Sequence, residues 1–297
     1  MATLRELKGR IGSVASSEKI TGAMKMISSA KMHKAEQALR QLKPYRSQIE
    51  TIIANLLSAD VDFNSPLLES REVKSIGLLL LGSDDGLCGA YNVNIYKKAV
   101  ELIEGLKNEY PAATITVLPV GNKIAKQAVK LQAAGVKIEI IPGIDSKSTA
   151  EVINEFAAQL RDSFLSGTYD MITALSTHFY TVSRQRIESV QVLPVQQASI
   201  TSVDSADSKP PIKPYIFEPS PEAIVDTVLP LFQLALMQDL FTQNMASEQA
   251  ARVMAMQSAN DNAQKLLEQL QLEYNKLRQQ SITTELLDIV GGQSQNN

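Results

Sequence analysis

The chain has 297 residues, 44% hydrophobic and 21% charged, with no tryptophan, a single cysteine and a net charge of −3. That is enough apolar material for one large or two ordinary domains, and the near-neutral total does not point to nucleic acid. Cys88 alone makes neither an internal disulfide nor a cysteine-built zinc site, the first residues lack a signal peptide's apolar core, and the longest apolar runs fall short of the ~20 residues that cross a bilayer.

The first predicted element runs from about Ala2 to Leu57. Leu4, Leu7, Ile11 and Val14 follow a 3–4–3 spacing. After a slip, Ile20, Met24 and Ile27 resume it, followed by Ala35, Ala38 and Leu42, and Ile49, Ile52, Ile53 and Leu56 close the run. Such periodicity predicts a helix and at 1.5 Å per residue it would measure roughly 80 Å. An element this long needs a partner along its length, as in a coiled coil. Up to Arg46 the run carries six lysines and four arginines against three glutamates, a net +7. This is either a solvated face or a basic arm aimed at an acidic partner.

From Val73 to Val195 the pattern changes. "SIGLLLLG", "TITVLPVG", "VKIEIIPG", "DMITALS" and "IESVQVLPV" are short apolar runs that read as strands. Helical stretches lie between several of them, at 92–106, 122–134 and 148–165. The alternation predicts a mostly parallel sheet with helices on its faces. From Gln196 to Pro219 Ser, Asp and Pro dominate, which predicts a loop or linker.

The first strand ends in "GSDDGLCGAYN", where Gly82, Gly86 and Gly89 suggest a phosphate-cradling turn. The spacing fits neither the P-loop, which also needs Lys and Ser/Thr, nor the dinucleotide fingerprint. Asp84 and Asp85 would repel a phosphate. A tight strand-to-helix turn is therefore the preferred reading.

The last element runs from about Pro219 to Gly292. Ser220 suits a cap, Pro221 the first helical position and Glu222 the positive end of the helix. Pro230 should kink it. Met256, Ala259, Ala263, Leu266, Leu270, Tyr274 and Leu277 form a narrow coiled-coil seam, and Gly291 and Gly292 are expected to stop the helix. The two long helices lie at opposite ends of the sequence, so the economical expectation is that they pair antiparallel with the middle inserted between them.

Catalytic signals are thin. His33 lies in the basic helix and His178 just after a strand, neither with a close carboxylate in sequence, and Cys88 has no neighbouring base. No metal-ligating motif occurs. The expectation is no catalytic residue, no metal site and no cofactor.

Four segments together resemble the γ subunit family of F-type ATP synthases. They are "RIGSVASSEKITGAMKMISSAKMHKA", "GSDDGLCGAYN", "NMASEQAARVMAMQSANDNA" and "LEYNKLRQQSITTELLDIVGG". Asp85 stands where that family more often has a basic or polar residue, and Asn260 replaces a common threonine. The resemblance implies an α/β fold class: a long antiparallel coiled coil of N- and C-terminal helices with an inserted Rossmann-like α/β domain. The expected division is 1–60 and 219–297 for the coiled-coil helices, 70–200 for the Rossmann-like domain and 201–218 for a linker.

The implied role is the central rotor stalk, a non-catalytic subunit carrying torque between a membrane c-ring and the catalytic ring. Implied partners are the alpha, beta and epsilon subunits (delta in mitochondria) and the c-ring subunits, with peripheral membrane association at the cytoplasmic face of a bacterial inner membrane. Residue by residue, Met24, Lys25, Arg252, Arg278, Gln279, Thr283 and Glu285 match segments linked to coupling with the catalytic ring. Tyr215 and Glu218 match the foot near the c-ring and the epsilon-type subunit. A single cysteine leaves no dithiol switch of the kind some photosynthetic members carry. The competing readings are a nucleotide-binding α/β enzyme with coiled-coil arms and a coiled-coil scaffold or adaptor without rotary role.

Overall fold

The computed structural model describes residues 3–58, 65–195, 218 and 220–294. The chain divides into two compact units, Ser29–Ala251 and Met1–Ser28 with Arg252–Asn297. Helix α1 (Leu4–Ser58) and helix α5 (Pro221–Ser294) each contribute to both units.

The larger unit is built on a five-stranded sheet in the order β3-β2-β1-β4-β5. Strand β1 (Ser75–Leu81) is central and parallel to both β2 (Thr114–Val120) and β4 (Met171–Thr181). At one edge β3 (Lys137–Ile138) is parallel to β2, and at the other β5 (Arg184–Leu193) is antiparallel to β4. Successive side chains of a strand point to opposite faces, so an unbroken apolar run requires both faces to be covered. Ile76, Leu78 and Leu80 pack on Ile95, Ala99 and Ile103 of α2 (Tyr91–Glu109) and Ile124 of α3 (Asn122–Ala128). Leu79 and Leu81 join Phe156, Leu160 and Phe164 of α4 (Ala150–Leu165) on the other face. Ile49, Ile53 and Leu56 of α1 and Leu229, Phe232 and Leu236 of α5 belong to that same cluster.

Several elements differ from expectation in detail. "VKIEIIPG" yields only the two-residue β3; Ile140 is exposed, and Pro142 has no N–H to extend a ladder. The strand expected to end at Ser176 continues to Thr181 and returns as β5. His178 is consequently inside β4, opposite Arg186, rather than after a strand. The helix expected over 122–134 becomes α3 followed by a 3₁₀ turn at Val129–Ala134, closed by Gly135 in the left-handed region.

Helix α5 opens as expected, with the Ala223 N–H donating to Ser220 Oγ at 3.3 Å. It continues through Pro230 and, against expectation, through Gly291 and Gly292 to Ser294. A helical glycine costs only about 1 kcal/mol relative to alanine, so it permits a stop without forcing one. The stretch Glu222–Leu287 holds one 18-residue window apolar enough to cross a membrane, which corrects the expectation from run length. Half of that window is buried inside the protein, as expected of a core helix.

In the smaller unit, the start of α1 and the end of α5 pair antiparallel. Gln264 Nε2 donates to Glu18 Oε1 at 3.3 Å, while Asn260, earlier on α5, reaches Thr21, later on α1. The buried and half-buried line of α1 runs Leu4, Leu7, Ile11, Val14, Glu18, Thr21, Lys25, Ser28 in an unbroken 3–4 alternation. There is no slip. The apolar residues assigned to one, Ile20 and Ile27, are 59% and 57% exposed. On α5 the line runs Val253, Met256, Asn260, Ala263, Leu267, Leu270, Tyr274, Leu277, so Leu267 takes the seam place expected of Leu266, which is exposed. Hydrophobicity and the heptad disagree here, and the heptad decides, because a 3.5-residue repeat keeps one face toward the partner.

Candidate functional site: the glycine turn and the helix pair

The turn after β1 is held by its own side chains. An alanine Cβ at Gly82 would lie 2.4 Å from Ile124 Cβ, so only glycine lets α3 come this close. The Ser83 N–H donates to Asn92 Oδ1 at 3.1 Å, and Asn92 Nδ2 returns to Ser83 Oγ at 2.7 Å. Asp84 Oδ1 accepts the Asn122 N–H at 2.8 Å, while Oδ2 accepts the N–H and hydroxyl of Ser146 at 2.9 and 2.7 Å. The Lys147 ammonium bonds Asp85 at 2.6 Å, and that hydrogen bond raises its pKa. The Asn122 and Ser146 N–H groups, the Ser146 hydroxyl and the Lys147 ammonium beside the turn are therefore spent on aspartates of the chain.

The turn grips α5 instead. Asn244 Nδ2 donates to the Gly82 carbonyl at 2.9 Å, and the Tyr91 hydroxyl donates to Asn244 Oδ1 at 2.7 Å. Ser146 Oγ lies 3.3 Å from Glu248 Oε2. Further along α5 the Ser247 hydroxyl donates to Thr177 O, and Gln243 Oε1 accepts the Phe179 N–H. Asn244, Ser247 and Glu248 are all buried. Sequence reasoning gave them no role, since Gln238, Asp239, Thr242, Gln243 and Gln249 make this stretch of the helix polar at many positions and nothing local marks which of them are buried.

A second polar cluster ties α1 to α5 within the larger unit. Arg46 Nε lies 2.7 Å from Glu50 Oε1 and its Nη1 lies 2.5 Å from Asp239 Oδ2. Burial raises the Glu50 pKa despite the arginine beside it. Arg46 thus leaves the solvated basic face to which the +7 count assigned it, whereas Arg5, Lys8, Arg10, Lys19, Lys31 and Lys34 are exposed. His33, read as lacking a carboxylate, lies 3.4 Å from Glu36.

The expected partner-contact residues are differently placed. Met24 and Lys25 are half-buried on α1, Lys25 on the seam line itself. Arg278, Gln279, Thr283 and Glu285 are exposed along one stretch of α5, where the Thr283 hydroxyl donates to the Gln279 carbonyl and the Ser281 hydroxyl to Glu285. Arg252 is buried, only 5% exposed. Glu218 is exposed, and Tyr215 lies outside the described residues. Among the described residues no group of three or more His, Cys, Asp or Glu is arranged to hold a metal ion.

A mostly parallel sheet flanked by helices and joined to two long terminal helices defines a class of coiled-coil proteins with an inserted α/β domain. The family model for ATP synthase matches residues 3–294. The ATP synthase gamma chain of Heliobacterium modesticaldum is 36% identical, over 98% of each chain. That of Bacteroides thetaiotaomicron is 37% identical, over 99% of this chain and all of its own. The chain belongs to the ATP synthase gamma chain family. A chain of the Euglena gracilis mitochondrial ATP synthase, solved with its F1 part and c-ring, shares the fold with a TM-score of 0.64 at 20% identity, covering 98% of this chain and 93% of that one. A chain from the central stalk and c-ring of the Tetrahymena thermophila enzyme gives 0.55 at 22% identity, covering 81% and 99%.

Proposed function

We propose that the chain is the central rotor stalk of an F-type ATP synthase, turning inside a ring of alpha and beta subunits and resting on the c-ring beside an epsilon-type subunit. It makes and breaks no bond itself; nucleotide chemistry belongs to the ring. Identical catalytic sites differ only if each meets a different side of the rotor. Moving one site between 1:99 and 99:1 takes about 5.5 kcal/mol of differential contact.

The observation that carries this reading is the helix pair. Between Glu18 and Ser28 its seam is polar, while Ile20, Met26 and Ile27 point outward. A freely solvated coiled coil buries its apolar residues in the seam; an outward apolar face supports a helix pair enclosed by partners. Met24, Lys25, Arg252, Arg278, Gln279, Thr283 and Glu285 supply the coupling contacts, and Tyr215 and Glu218 the foot. The complex sits on the cytoplasmic face of a bacterial inner membrane.

The test is reconstitution of the chain with alpha and beta subunits, and of the complex into vesicles. A stoichiometric, ATP-hydrolysing complex that pumps ions supports the rotor. Binding without restored hydrolysis supports an adaptor, and nucleotide turnover by the chain alone supports an enzyme. Met24→Lys, which adds a charge beside the seam, should depress ATP-driven pumping more than assembly.

A further inference from the structure

We propose that Asn260 is a register pin for the helix pair, a positioning residue that fixes how α1 and α5 lie against each other lengthwise. The proposal rests on the rotor reading for its consequence and on the smaller unit alone for its geometry.

Asn260 stands on the seam line of α5, between Met256 and Ala263. Its Nδ2 donates to the backbone carbonyl of Glu18 at 2.7 Å and lies 3.3 Å from Thr21 Oγ1. The carbonyl of a mid-helix residue is already the acceptor of its own ladder, and its second lone pair is usually left to water. Here it is claimed by the opposite helix. The Thr21 hydroxyl lies 3.0 Å from both the Ser17 and the Glu18 carbonyls, with one proton to give, so the 2.7 Å bond from Asn260 is the closer claim on the Glu18 oxygen. Gly22 lies directly beneath this contact: a Cβ placed there would be 3.4 Å from Asn260 Nδ2, an ordinary contact.

Register needs such a device. The seam of α5 beyond Asn260 is Ala263, Leu267, Leu270, Tyr274 and Leu277, and that of α1 before Glu18 is Leu4, Leu7, Ile11 and Val14. Apart from Tyr274 these knobs are small or similar in shape, and a slide of one heptad, about 10 Å along the axis, still sets apolar against apolar. A polar seam residue penalises that slide, because its amide loses its partner while remaining covered. Asn260 therefore trades stability for a single alignment. In a torque-bearing shaft, slippage between the helices would release twist before it reached the ring.

The test uses the full chain assembled in the vesicle-reconstituted complex, with spin labels at the exposed Lys19 and Lys265. Wild type gives one narrow distance population. Asn260→Leu and Asn260→Ala, the second matching the small-residue character of the seam, keep assembly and ATP hydrolysis. Both gain a second or broadened population, since losing one ordinary hydrogen bond shifts a two-state balance about fivefold. Ions pumped per ATP hydrolysed fall with it. Thr21→Val, which leaves the Asn260–Glu18 bond in place, keeps the narrow distance. A single narrow population in both Asn260 variants overturns the pin, and so does broadening with undiminished pumping. Failure of the wild-type chain to assemble or pump overturns the rotor reading instead, so the two failures are distinct.

Discussion

The two units of the chain use their apolar residues in opposite ways. In the sheet unit, six of the seven residues of β1 are buried, with alternate side chains serving two separate cores. In the helix pair, Glu18, Thr21, Lys25 and Ser28 occupy the seam, whereas Ile20, Met26, Leu272 and Leu287 face outward. The sheet unit fills two cores of its own, while Leu87, Val129 and Ile140 among others remain exposed. The helix pair exposes apolar residues where its own seam is polar, the condition expected of a part that works enclosed.

The sharpest way to break this contrast is to truncate one large side chain in each unit. Phe232, fully buried on α5 beneath the sheet, should cost about 3–5 kcal/mol when changed to alanine. Leu287→Ala, on an exposed part of the same helix, should stay within about 0.5 kcal/mol. Denaturant unfolding of the full chain measures both, and equal losses would mean that the helix end is packed after all.

The Arg46 cluster comes next. Its three side chains are 10–17% exposed, so Arg46→Ala should cost about 2 kcal/mol, between the values for open and sealed pairs, by leaving Glu50 and Asp239 without their cation. The pH dependence has a defined sign. Burial raises the Glu50 pKa, so the folded chain holds that proton more tightly than the unfolded chain does. The associated stability is full below the ordinary carboxylate value of 4.5 and is lost as pH rises through the raised one. Glu50→Gln should flatten that part of the stability–pH curve. Asp84→Ala is a smaller perturbation, about 1–2 kcal/mol, since water reaches part of the turn and satisfies some of the freed N–H groups. It should loosen the Ser146 segment, visible as faster amide exchange at Ser146 and Asn122, while the α5 contacts through Asn244 persist.

The sequence made different features legible for different physical reasons. Strands β1, β2 and β4 were readable because both faces are covered, which leaves a continuous apolar run. β3 was over-read because Ile138, Ile140 and Ile141 look like such a run although only two residues pair. The glycine turn was read as a strand-to-helix turn on spacing and charge, but its grip on Asn244 joins residues far apart in the chain, and no local pattern encodes that. In the helix pair, following hydrophobicity inserted a slip at Ile20 and chose Leu266 over Leu267. Both errors have one cause: the seam accepts polar residues at Glu18, Thr21, Lys25, Ser28 and Asn260, so its apolar signal fades where its geometry does not.

Ile20 turns that error into an experiment. If the slipped register were the true one, Ile20 would sit in the seam, and Ile20→Ser would destabilise the isolated chain as a core substitution does. In the structure Ile20 faces out between two seam positions, so the same change should leave the chain's unfolding within about 0.5 kcal/mol of wild type. The cost should reappear in the assembled complex. Covering an isoleucine side chain completely stabilises by about 1.5–3 kcal/mol, and each 1.4 kcal/mol is about a tenfold change in dissociation constant. Dilution of the reconstituted complex should therefore release the Ile20→Ser chain at about tenfold higher concentration than wild type. Loss of chain stability without weaker retention would return Ile20 to the seam and remove the outward apolar face on which the enclosed-shaft reading stands.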